Sequence, residues 1–95
     1  MLREKEFPLK YSIVWADRRA LKTFESLPLT VQARVRVVIA GLSSAPRPVG
    51  VKKLSGQLKG IWRVRTGDWR ILYDIDDQAR NIILIDIGLR KSVYR

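Results

Sequence analysis

The chain has 95 residues, of which 19 are Lys or Arg and nine are Asp or Glu, for a formal charge of +10 at neutral pH; 46% are apolar, and there is no cysteine or histidine. That length supports one hydrophobic core, and that apolar content argues against disorder. The missing residue types exclude disulfides, zinc–thiolate sites and histidine-assisted nucleophiles, which leaves arginine, lysine, tyrosine and carboxylates for any chemistry. No stretch nears the ~18 apolar residues of a membrane span, and residues 1–10 lack the apolar run of a signal peptide. The expectation is a soluble, cytoplasmic chain with no membrane partner.

In chain order, residues 1–10 read as a loose N-terminal extension and residues 11–95 as a single domain. Tyr11-Ser-Ile-Val-Trp15 is β-branched and aromatic, and predicts a strand. Asp17 is a good N-cap for a helix that lines up Ala20, Leu21, Phe24 and Leu27 opposite Arg18, Arg19, Lys22 and Glu25. Pro28 ends that helix, since proline disfavours helical geometry before it and has no N–H. Thr30 is the expected cap of a second helix carrying Val31, Val35, Val38, Ile39 and Leu42, so the two helices form a hairpin. Residues 43–50, with Pro46 and Pro48, read as a loop. Beyond it the period changes to two: residues 61–66 and 69–74 predict strands joined by Gly67-Asp68 as a two-residue turn, residues 76–80 a polar turn, and residues 81–88 a third strand of the meander. The order β-α-α-β-β-β predicts an α+β domain whose helical hairpin covers one face of an antiparallel sheet.

The charge is uneven. Residues 1–33 carry a net +2, residues 34–70 nine bases against Asp68 alone, and residues 71–95 no net charge. A basic middle third reads as a polyanion-binding surface, or more plainly as a solvated basic face. With Gly67-Asp68 as the turn, Trp62, Val64, Ile71 and Tyr73 share one side of the hairpin and Arg63, Arg65, Arg70 and Leu72 the other. Arg65 and Arg70 become cross-strand neighbours, an arrangement that costs a few tenths to about 1 kcal/mol. A phosphate about 6 Å from a guanidinium at an effective dielectric of about 20 gains about 3 kcal/mol before desolvation, which outweighs that repulsion. The alternative is that long arginine stems simply cover apolar surface while their heads stay wet. Three arginines on one face, with Lys52 and Lys53 nearby, favour a phosphate site, and a planar guanidinium fork suits phosphate oxygens.

Several runs resemble the RelE branch of the RelE/ParE toxin superfamily over about residues 11–95. They are Lys52-Lys-Leu-Ser-Gly56, Gly60-Ile-Trp-Arg-Val-Arg-Thr-Gly-Asp-Trp-Arg-Ile-Leu-Tyr73, Ile87-Gly-Leu-Arg-Lys91 and Val93-Tyr94. The resemblance implies a toxin paired with an antitoxin, and RelE members enter the ribosomal decoding site and cut messenger RNA there. It places the family's basic catalytic positions on Arg63, Arg65, Arg70 and Arg90, and its C-terminal tyrosine on Tyr94. Arg63 and Arg65 stand where well-studied members often have lysine, and arginine keeps its proton, so neither is cast as a base. ParE relatives, which act on DNA gyrase, share the fold but generally lack the full Arg/Tyr set.

On this reading the RNA 2′-hydroxyl is the nucleophile, so no cofactor or metal is required. Arg65 and Arg70 hold non-bridging phosphate oxygens, and Arg63 supports the phosphate or Tyr94. Arg90 assists the leaving oxygen, and Tyr94 serves as general base or stacks on a nucleobase. Lys52, Lys53 and Lys59 are expected to contact RNA phosphates without sequence preference. The expected partners are the ribosome with its messenger and an acidic antitoxin, through which alone operator DNA is reached. The antitoxin either covers the arginine face or wedges a helix against the segment of Tyr94. Gyrase inhibition, or a regulatory role without catalysis, remains the alternative.

Overall fold

The computed structural model of the chain describes residues 10–54, 56 and 60–89. Of the expected N-terminal extension, only Lys10 falls among them. The elements are β1 (Ser12–Trp15), α1 (Arg18–Glu25), α2 (Leu29–Ser44), β2 (Lys52–Lys53), β3 (Trp62–Thr66), β4 (Trp69–Asp76) and β5 (Asn81–Leu89). They build an α+β domain in which both helices pack on a five-stranded sheet of order β1-β5-β4-β3-β2.

The Asp17 cap forms as expected, its carboxylate accepting from the Ala20 N–H at 2.8 Å. The second helix begins earlier than expected, at Leu29, with Pro28 in the capping position at φ −54° and no side-chain cap. The Gln32 N–H donates to the Pro28 carbonyl at 2.9 Å, so Thr30 lies inside the first turn. A fixed φ and a missing N–H suit proline to a helix start, where the amide hydrogen would find no partner. Buried Gln32 then ties the hairpin together. Its amide donates to the Leu27 carbonyl at 2.9 Å and to the Glu25 carbonyl at 3.1 Å, satisfying acceptors that the end of α1 leaves open.

The sheet is mixed where an antiparallel one was expected. β1 lies parallel to β5, pairing Ile13 with Ile82 and Trp15 with Leu84. The helical hairpin carries the chain from β1 at this edge to β2 at the opposite one, so β1 and β5 are separated by the long connection that parallel strands require. β2 is an element the sequence did not announce: two exposed lysines at the opposite edge, too short and too polar to show any period.

Between helices and sheet lies a core in which Val35, Ile71, Tyr73, Ile82 and Leu84 are 0% exposed. Each aliphatic side chain buried there contributes roughly 1.5–3 kcal/mol relative to exposure. β5 reaches this core through a bulge. Tyr73 faces Leu84 and Leu72 faces Asp86, which leaves Ile85 without an opposite residue. Strict alternation from Ile82 would turn Asp86 inward. The extra residue turns Ile87 inward instead and leaves Asp86 on the outer face.

The segment after α2 is fastened at the far end of the sheet. The buried Tyr73 hydroxyl donates to the Pro46 carbonyl at 2.7 Å, and burial pushes its pKa up to about 12. Arg47 meets Asp77 at 2.8 Å, and the Tyr11 hydroxyl donates to the same carboxylate at 2.6 Å. Those two partners hold the Asp77 carboxyl below its ordinary range.

Replacing Gln32→Leu is expected to cost about 1–3 kcal/mol for the carbonyls left unsatisfied, read as a lower midpoint in urea with an unchanged slope. A phenol whose ionisation is raised in the folded state stabilises fully below its unfolded value near 10, and that stability is lost as pH climbs toward about 12. Thermal melts of the wild type should therefore fall in that window, and Tyr73→Phe should flatten the decline.

Candidate functional site

The β3–β4 hairpin fixes where the charged side chains go. Gly67 has φ +60° while Asp68 does not reach positive φ, the pattern of a II′ turn with glycine first. The strands pair as Thr66 with Trp69, Arg65 with Arg70, Val64 with Ile71, Arg63 with Leu72 and Trp62 with Tyr73. Trp62, Val64, Ile71 and Tyr73 thus face the helices, and Arg63, Arg65 and Arg70 share the face the helices leave open.

On that face Arg65 and Arg70 stand directly opposite each other. Gly88, on the far side of Arg70, completes the row without a side chain. The next row on this face reads Lys52, Arg63, Leu72 and Asp86. The Nε atoms of Arg63 and Arg70 are buried, whereas Arg65 is exposed. Further along β4 the same face carries Asp74 and Asp76, so its side chains change from basic near the hairpin to acidic toward the β4–β5 turn. Asp86 sits between these regions, with Arg19 of α1 3.9 Å from its carboxylate.

Lys52 and Lys53 part company. Lys52 pairs with Arg63 and joins the arginine face. Lys53 pairs with Trp62 on the helix side, its ammonium 5.5 Å from the Trp62 ring centroid, with Arg47 5.4 Å from the same centroid. Both distances suit cation–π attraction. Lys59, Arg90 and Tyr94 lie outside the described residues. Asp86 and Gly88 were not singled out from sequence, because the bulge that sets their face has no signature in the residue pattern. Among the described residues no group of three or more carboxylates forms a metal cluster, and no helix is long and apolar enough to cross a membrane.

The family model for the ParE toxin of the type II toxin–antitoxin system parDE matches residues 14–94. Toxin RelG of Mycobacterium tuberculosis is 34% identical over 68 residues, which are 72% of this chain and 77% of that protein. Toxin RelE of the same organism is 34% identical over 77 residues, 80% of this chain and 78% of that protein. Among solved structures, a chain of the M. tuberculosis toxin–antitoxin complex RelBE2 superposes with a TM-score of 0.74 at 28% identity, covering 85% of this chain and 99% of the other. A small helical hairpin on a mostly antiparallel sheet is thus a fold this chain shares with toxins of type II toxin–antitoxin systems. This chain belongs to the RelE/ParE superfamily of those toxins, and the relatives just described are of the RelE kind.

Because Gly67 adopts positive φ, Gly67→Ala is expected to destabilise the protein by about 1–2 kcal/mol through the backbone alone, since a β-carbon there would meet its nearest neighbour, Nη1 of Arg34, at an ordinary contact distance of 3.7 Å. Chemical denaturation would measure it.

Proposed function

We propose that this chain is the toxin of a type II toxin–antitoxin module and acts as a ribosome-dependent messenger RNA endonuclease. One observation carries the reading: Arg65 and Arg70 are cross-strand neighbours on the open face, with Arg63 and Lys52 one pleat away. The kinship with RelE-type toxins supports it.

RNA brings its own nucleophile. The 2′-hydroxyl attacks the adjacent phosphorus, the bond to the 5′-oxygen of the next nucleotide breaks, and a cyclic phosphate and a free 5′-hydroxyl result. Two protons move, one off the 2′-oxygen and one onto the 5′-oxygen. Arg65 and Arg70 hold the non-bridging oxygens and stabilise the charge that builds there, a contribution typically worth 10²–10³ in rate per donor. Arg63 supports the phosphate from the next row. Arg90 assists the leaving oxygen, and Tyr94 is the candidate base. Lys52 and Lys59 contact neighbouring phosphates. Lys53, held against Trp62 on the other side of the sheet, would meet a different part of the RNA.

A site with no strong acid or base depends on its substrate being held in line, which the ribosome supplies. An antitoxin partner follows from the family, since its relatives include a toxin solved in a toxin–antitoxin complex. A second reading, gyrase inhibition, is favoured by the family model's description as a ParE toxin.

Expression of the chain alone should arrest growth and produce new messenger 5′ ends in actively translated regions, with gyrase supercoiling unchanged in a parallel assay. Gyrase inhibition with intact messenger would replace the nuclease reading with the second one, and no growth effect would favour a regulatory homologue. Arg65→Ala and Arg70→Ala should each reduce cleavage on purified ribosomes by roughly 10²–10³, and Arg65→Ala, at an exposed position, should melt near the wild-type temperature. Full activity in both would overturn the phosphate assignment.

A further inference from the structure

The tip of the β3–β4 hairpin receives a cation from the helical layer. The 3.7 Å separation between a β-carbon built on Gly67 and Nη1 of Arg34 brings this α2 guanidinium to the turn whose flanking strands carry Arg65 and Arg70. Several cations elsewhere have internal work. Arg36 lies 5.0 Å from the centroid of the Phe24 ring, Arg47 holds Asp77, Lys53 covers Trp62, and Arg19 approaches Asp86. Arg34 and Arg65 are exposed, and neither forms a hydrogen bond or ion pair among the described residues. Asp68, the acid in the turn, is the sole acidic residue between positions 34 and 70 and leaves the tip net positive. The basic surface therefore does not stop at the edge of the sheet: it turns over the hairpin tip and continues onto α2.

We propose that Arg34 binds a backbone phosphate of RNA beside the one held by Arg65 and Arg70, so that the strand passes over the hairpin tip. This rests on the RNA-cleaving reading and assigns to it a binding residue outside the sheet. Mutual repulsion among guanidinium groups gathered at one turn is relieved when a polyanion lies across them. Releasing one phosphate contact lowers the salt dependence of single-strand binding by about 0.7 in the slope of log affinity against log salt.

The test uses the full-length protein with two probes: a 2′-O-methyl single-stranded RNA oligonucleotide, which has no free nucleophile, and purified small ribosomal subunits without messenger. Arg34→Gln should make the slope for one probe shallower by about 0.7, and Arg34→Lys, which keeps the charge, should restore it. A change confined to the oligonucleotide assigns the phosphate to messenger, and one confined to the subunits assigns it to ribosomal RNA. Unchanged slopes for both probes, in a protein that melts like the wild type, would overturn the proposal and leave the nuclease reading standing. A wild type with no salt-dependent affinity for either probe would sink that reading as well.

Discussion

The β3–β4 hairpin closes on Gly67, and its pairing register decides which side chains the helices cover. A strand repeats every two residues, so a slip of one position would put Trp62, Val64, Ile71 and Tyr73 into water and bring Arg63, Arg65 and Arg70 under the helices. Tyr73 is wholly buried and its hydroxyl reaches Pro46, so the correct register is held at both ends: by turn geometry at the tip, and by a buried tyrosine with a hydrogen-bond partner at the base. The same register that hides the apolar face gathers the arginines on the other. Stability and the site are two sides of one choice.

The second requirement is that both helices stay on one side of the sheet. α1 and α2 both pack against the apolar side, joined by the Gln32 amide between them, and α2 buries Val31, Val35, Ile39 and Leu42 against the sheet. An antiparallel sheet tolerates water on one face where a parallel sheet flanked by helices does not. Along the other face β4 passes from Arg70 to Asp74 and Asp76, so its basic side chains lie toward the hairpin.

Much of this was legible before any coordinates. The alternation through residues 61–74 and the glycine at the turn predicted the register residue for residue, because one face had to be apolar and the turn had to accept positive φ. The Asp17 cap and the apolar stripe on Ala20 and Phe24 were equally plain, although the helix closes at Glu25, so Leu27 reaches the core from the turn that follows and not from the helix. The start of α2 was misread because Thr30 is a good cap in isolation, while Pro28 pre-sets the backbone two residues earlier. The two-residue β2 and the parallel docking of β1 left no local mark, since both depend on partners distant in sequence. For the candidate site, the three hairpin arginines were visible through periodicity. The separation of Lys52 from Lys53 follows from a pairing that only the assembled sheet defines. The approach of Arg34 to the tip was hidden for a simpler reason: it joins a helix to a turn more than 30 residues away.

The bulge at Ile85 has a bearing on how this strand can change over time. Upstream of it, even-numbered positions of β5 point inward, as Ile82 and Leu84 do; downstream, odd-numbered ones do, as Ile87 does. Gly88 consequently faces outward beside Arg70. Loss of a single residue near position 85 could remove the irregularity and still leave a well-paired ladder, since Ile87 would keep its partner. Loss or gain a few residues later would instead exchange the environments of Ile87 and Gly88. Length variation among relatives should therefore be accommodated at the irregular position and resisted along the regular run that follows.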